Sequence, residues 1–267
     1  MKTERAFESN LKSVESSSSD ESHIMKDTSR LSHAMLKVPS VDRTAAYWTE
    51  KMGSIIMSRS REDGTLQSAF VALGNGETTD KCFALELVET SSESFKLGNS
   101  LSYIGVSMLL QFQDNLLGAL TGEKPEGQGD EPNGILVRSS ASAPGDYFCR
   151  FCLKSRNLVE TNDFYTSVLG MDAKAVDADM LCLRYDATAG MKGVPTTIVF
   201  ERSDDELDRG KCFDHLVITT SLDINEQYKR IKETHESAIY MIPTEMFGKT
   251  VMGIRDPNQY KIILASE

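Results

Sequence analysis

The chain has 267 residues, 40 acidic against 29 basic side chains, a formal net charge of -11 and a hydrophobic fraction of 40%. These are globular proportions, enough for one large domain or two ordinary ones, and the acidity argues against nucleic acid or an anionic membrane as the main partner, since both need concentrated Lys and Arg. No apolar run approaches the roughly 18 to 20 residues of a membrane-spanning helix, and no basic stretch followed by an apolar one opens the chain as a secretory signal does.

Residues 1–28 are polar, Ser-rich and acidic, without a sustained hydrophobic period. Such a segment buries too little to repay the entropy of ordering, so a disordered tail is expected, with His23 inert within it. The expected location is cytoplasmic, and the serines of the tail leave organelle import open. The five cysteines, Cys82, Cys149, Cys152, Cys182 and Cys212, are odd in number and scattered. They suit a reducing compartment rather than a disulfide framework. Cys149 and Cys152 are three apart on an expected strand and so face opposite sides of it, which favours two buried thiols over a metal pair.

From Leu31 the chain reads as repeated units. The first opens with an alternating strand, Leu31 to Val38, in which strict period two places His33 with Leu31, Met35 and Lys37, opposite Ser32, Ala34, Leu36 and Val38. A helix follows from about Val41 to Met52, with Ser40 as N-cap and Gly53 as stop, then strands near Ser54 to Ser60, Leu66 to Leu73 and Cys82 to Val88. Glu86 interrupts the last strand on the face of Ala84 and Val88. A carboxylate there is costly unless a metal, a donor or an ion-pair partner such as Lys37 holds it.

A second, shorter unit contains SYIGVSMLL, a helix near Gln113 to Leu120, a loop GEKPEGQGDEPNG and the run ILV. The third opens at Tyr147 to Lys154, carries the helical text LVETNDFYTSVLGM and closes with PTTIVFER. The fourth has CFDHLVITT, a helix from about Asp223 to Glu236, an irregular stretch, then TVMGI and YKIILA around the turn RDPNQY. His215 holds in the fourth unit the place His33 holds in the first, and His235 falls on the polar side of a helix. The small, Pro- and Gly-containing stretch SASAPGD marks a boundary near Ser140 to Asp146. The expected class is α+β, built from four strand-rich units paired two by two.

HAMLKVPSVDRTAAYWTEKMG, FALELVE, SFKLGNSLSYIG, NDFYTSVLGM and RDPNQYKIIL together resemble the vicinal oxygen chelate superfamily, and within it the two-domain glyoxalase I relatives. The resemblance implies tandem βαβββ units paired into two glyoxalase-like domains, 29–140 and 147–267, with curved mixed sheets, the first unit facing the fourth and the second the third. It implies a metal pocket whose four ligand positions correspond to His33, Glu86, His215 and Ile263, and a second pocket of Tyr103, Arg138, Arg150 and Glu201. The second set should repel a cation, with Arg150 and Glu201 expected as an ion pair.

Two histidines and a carboxylate suit Zn, Ni, Mn, Co or Fe with open positions for water or substrate. Strand histidines that merely bond to the backbone are the alternative. By resemblance the activity is a glyoxalase I-type lyase or isomerase acting on a small carbonyl compound or its glutathione hemithioacetal. Glu86 would be both ligand and base, and Lys37 a substrate contact. Ile263 can neither ligate nor accept a proton, and Glu245 stands where a glutathione-binding base is expected. A non-haem iron oxygenase and a non-catalytic binding protein of the same fold are therefore the competing readings. Either a monomer or a homodimer fits tandem units.

Overall fold

The computed structural model describes residues 29–52, 54–62, 65–72, 83–91, 93, 95–107, 133–140, 148–186 and 195–267. The expected tail, the helix near Gln113 to Leu120, Gly53, Cys82 and the side chain of Cys149 lie outside the described residues.

The first unit comprises β1 (Ser29–Val38), α1 (Val41–Met52), β2 (Ile55–Glu62), β3 (Thr65–Ala72) and β4 (Ala84–Glu89). Ser40 caps α1 as expected: its hydroxyl accepts from the Arg43 amide at 3.2 Å. The second unit contributes β5 (Leu101–Ser107) and β6 (Val137–Ser140). The third has β7 (Phe148–Ser155), α2 (Leu158–Asp163), β8 (Asp172–Val176), β9 (Met180–Arg184) and β10 (Thr197–Arg202). The fourth has β11 (Phe213–Thr220), α3 (Ile224–His235), β12 (Ile239–Met246), β13 (Lys249–Arg255) and β14 (Lys261–Ser266).

α2 is shorter than its text suggests, because Phe164–Val168 continues it as a wider π turn. The element stops at Gly170, whose φ of 66° only glycine adopts cheaply. The stretch expected to be irregular is β12, an edge strand. Pro243 within it and the register shifts against β13 hid its period.

Two sheets result. One has eight strands in the order β12-β13-β14-β11-β1-β4-β3-β2, and the other six in the order β6-β5-β7-β10-β9-β8. The first unit thus joins the fourth through the antiparallel pair β1–β11, and the second joins the third through β5–β7. The expected boundary at Ser140 to Asp146 connects β6 and β7, which share a sheet. Each sheet therefore takes one unit from 29–140 and one from 147–267. Neither sheet is strongly curled, so the expected curvature is not seen.

One apolar core lies against both sheets, with Leu36, Trp48, Leu85, Phe151, Phe200, Leu216, Ile231 and Leu264 fully enclosed. Burying each such side chain contributes about 1.5–3 kcal/mol. Phe151 and Phe213, from different sheets, meet at 5.3 Å between ring centroids. On the opposite faces the described residues form small clusters: Tyr103, Cys152 and Val199 on the six-stranded sheet, Val217, Val251 and Ala265 on the eight-stranded one. These open faces leave room for polar chemistry. Among the described residues no helix is long and apolar enough to cross a membrane.

Candidate metal centre

The site lies on the open face of the eight-stranded sheet, and two bulges build it. Along β1, Leu31 pairs with Ile218 and His33 with Val217, which leaves Ser32 as an extra residue. Along β11, Phe213 pairs with Leu36 and His215 with Met35, which leaves Asp214 as the extra residue. A bulge turns consecutive side chains toward one side and resets the alternation beyond it. Leu31 consequently packs in the main core with Ala34, Leu36 and Val38, whereas His33 and Met35 are only partly buried. Strict alternation had placed Leu31 beside His33; the bulge at Ser32 corrects this.

Each bulge also supplies a partner for its histidine. Ser32 Oγ lies 3.1 Å from His33 Nδ1, and Asp214 Oδ2 lies 2.8 Å from His215 Nδ1. With Nδ1 occupied, the free nitrogen of each ring is Nε2. His33 Nε2 is 3.4 Å from Glu86 Oε2, and the ring of Phe70 packs edge-on against His33 at 5.1 Å.

Glu86 lies on β4 where expected, paired across to Met35 on one side and Phe70 on the other. His33, Glu86 and His215 each offer a ligand atom, and these atoms lie within 4.8 Å of one another. Ligands about 2.1 Å from one tetrahedral or octahedral ion stand roughly 3–4.2 Å apart, so small rotations suffice to close the set. The donor types and the Asp214–His215 bond, the usual support of a metal-bound imidazole, fit a divalent cation.

The register also locates the fourth position. Two residues beyond His33, Met35 pairs with Glu86; two residues beyond His215, Val217 pairs with Ile263. Ile263 is therefore the counterpart of Glu86, and an alkyl side chain stands where a second carboxylate would complete the set.

Asp214 went unnoticed in the sequence. Its carboxyl is held well below the usual range, chiefly by the hydrogen bond from His215 and then by Lys37, against the opposing effect of burial. Lys37 Nζ is 2.7 Å from Asp214 Oδ1, so the ion pair considered between Lys37 and Glu86 does not form. Glu245 accepts from the Thr250 hydroxyl. His235, expected in solvent, packs edge-on against Phe164 at 6.0 Å.

The second set of residues differs from its expectation in one pairing. Glu201 meets Arg138 at 3.8 Å and accepts from the Ser102 hydroxyl at 2.6 Å; Arg138 also lies 4.2 Å above the Tyr103 ring. The anticipated ion pair of Arg150 with Glu201 is not found among the described residues. Cys152, beneath them, is fully buried, and burial pushes its thiol up to about 12.

This fold, with paired βαβββ-type units in two mixed sheets, is shared with solved glyoxalase I structures. Glyoxalase I from Zea mays superposes with a TM-score of 0.69 at 19% identity, over 90% of this chain and 92% of that one. A variant of the same enzyme gives 0.70 at 20%, over 91% and 95%. A protein described as a putative dioxygenase from Bacillus subtilis subsp. subtilis str. 168 gives 0.63 at 12%, over 90% and 86%. No protein-family model and no curated protein matches the sequence. At these identities the likeness defines the fold, and the chemistry rests on the site.

Proposed function

We propose that the protein is a glyoxalase I-like, metal-dependent lyase or isomerase acting on a small carbonyl compound or its glutathione hemithioacetal. The observation that carries this reading is the convergence of His33, Glu86 and His215 on one open sheet face. A divalent ion held by these three residues, whether Zn, Ni, Mn, Co or Fe, would supply Lewis-acid polarisation of the substrate carbonyl.

The chain's own groups do the rest. Glu86 takes a proton from the hydroxyl-bearing carbon beside the carbonyl and returns it to the carbonyl carbon, while the hydroxyl proton passes to the former carbonyl oxygen, so no oxidant or external acid is consumed. Asp214 holds the His215 ring, and Phe70 and Val217 form apolar walls near the reacting carbons. Lys37 is the proposed substrate contact, its partly exposed ammonium resting on Asp214. With Ile263 opposite Glu86, a single carboxylate carries both proton steps.

A second reading, a non-haem iron oxygenase, draws support from the same geometry, because two histidines and one carboxylate leave several coordination positions open. Elemental analysis of protein purified without chelators, beside His33→Ala and His215→Ala, tests the centre common to both. About one equivalent per chain, lost in either variant, is the expected result. Wild-type protein that is metal-free and cannot be loaded would overturn both readings. Hemithioacetal isomerisation by the loaded protein then supports the first, and Fe(II)-dependent oxygen uptake the second.

A further inference from the structure

The register that aligns the metal-binding candidates continues across the sheet. Glu86 pairs with Met35, Met35 with His215, His215 with Lys261, and Lys261 with Arg255. Laterally paired residues point to the same side of a sheet, so Lys261 and Arg255 share the open face with His215. Burial agrees: Ile262, Leu264, Met252 and Ile254 fill the main core, while Ile263, Ala265 and Val251 pack on the open face. At about 4.8 Å per strand, Lys261 stands roughly 5 Å and Arg255 roughly 10 Å along the sheet from the His215 backbone.

These two cations are weakly committed. Asp214 is saturated by shorter bonds, Lys37 on Oδ1 at 2.7 Å and His215 on Oδ2 at 2.8 Å; Lys261 reaches it only at 3.5 Å. Arg255 has no carboxylate partner among the described residues, and its guanidinium lies 5.2 Å above the Tyr240 ring. That ring lies over Gly253, in the space that a Cβ would fill. A phenol whose ionisation is pushed up to about 12, chiefly by burial, adds a neutral wall rather than a competing anion.

Charge then decides what this face accepts. Among the described residues aligned with the cluster, Lys37, Lys261 and Arg255 stand against Asp214 and Glu86, and a divalent ion at the histidines would leave the face more positive still. We propose that Lys261 and Arg255 form an anion subsite beside the His33, Glu86 and His215 cluster. Its ligand is a small organic anion that turns a carboxylate or phosphate toward β13 and β14. This deepens the proposed function, on which its metal-facing half rests, by naming the substrate class. The subsite differs from Lys37, whose ammonium is already paired.

The test uses three 2-oxo acids with one common head and different tails: 2-oxobutyrate (neutral), 2-oxoglutarate (carboxylate) and 2-oxo-4-phosphonobutyrate (phosphonate). Each is titrated calorimetrically into the full chain with and without Mn(II), whose own binding is measured first. The expected result is binding of at least one acidic tail about ten-fold or more tighter than the neutral one. Lys261→Met and Arg255→Met should each erase that preference while Mn(II) still binds, Arg255→Lys should keep part of it, and Lys229→Met on α3 should keep all of it. Which acidic tail gains more separates a carboxylate ligand from a phosphate one. No preference for either acidic tail, or a preference indifferent to Lys261 and Arg255, would overturn the subsite. If Mn(II) does not bind, the proposed function fails separately; the metal-free titrations then decide the subsite by the same criterion.

Discussion

Asp214 accepts the Nδ1 proton of His215 at 2.8 Å from the bulge immediately before it. Removing such a partner from a metal-bound imidazole typically costs 10- to 100-fold in affinity. Asp214→Ala should therefore weaken Zn(II) binding by about that factor in a calorimetric titration. Ser32→Ala, which removes only a neutral hydroxyl from His33, should have a smaller effect. Equal effects would mean that neither bulge residue orients its ring.

Ile263 is the register counterpart of Glu86, which makes the missing ligand testable by addition. Ile263→Glu should tighten metal binding, because a second carboxylate joins a set otherwise neutral apart from Glu86. Glu86→Gln should lower turnover by about 10²- to 10⁴-fold. The double variant Glu86→Gln with Ile263→Glu should recover part of the loss if either side of the pocket can hold the base. Recovery would be read by kcat at saturating metal.

Asp256 gives the fold a pH dependence of unusual sign. Its carboxyl is almost wholly enclosed, and burial raises it from 3.8 to about 7, although the Tyr260 amide, Asn258 and the Tyr165 hydroxyl donate to it. Between those two values the folded chain keeps a proton that the unfolded chain releases. The contribution is thus full below about pH 4, falls as pH rises toward 7 by up to about 1.4 kcal/mol per pH unit, and is flat above. Asp256→Asn cannot ionise, so urea unfolding across this range should show the variant gaining on the wild type as pH rises.

Gly253 faces the Tyr240 ring so closely that an added Cβ would stand 2.5 Å from it. Gly253→Ala should displace the ring and cost about 1–3 kcal/mol, measured by denaturant unfolding. Gly253→Ala with Tyr240→Ala should cost less than the sum of the single changes, because the clash has gone.

Cys152 supplies a simple check on the second sheet. Full burial pushes its thiol up to about 12, and only the thiolate is nucleophilic. Alkylation of the folded protein at pH 8, read by mass spectrometry, should spare Cys152 and modify it once urea is added.

The sequence by itself indicated the repeated strand and helix order, the cap at Ser40, and the three candidate ligands. Each depends on local period or on matched position: His33 and His215 open equivalent strands, and Glu86 breaks an apolar run. β12 escaped because Pro243 and shifted pairing erase its alternation, which is a property of the partner strand as much as of its own text. Which units share a sheet was implied by the resemblance and by no local period, and the structure shows the contact that joins them, since units far apart in the chain pair through β1 and β11. Tertiary structure alone created the bulges that move Leu31 into the core and bring Ser32 and Asp214 to their histidines. It also drew Lys37 to Asp214 across 177 positions of sequence and aligned Lys261 and Arg255 beside His215. The physical reason is that a strand's own residues set its period, whereas register is set by a neighbour that the local sequence does not contain.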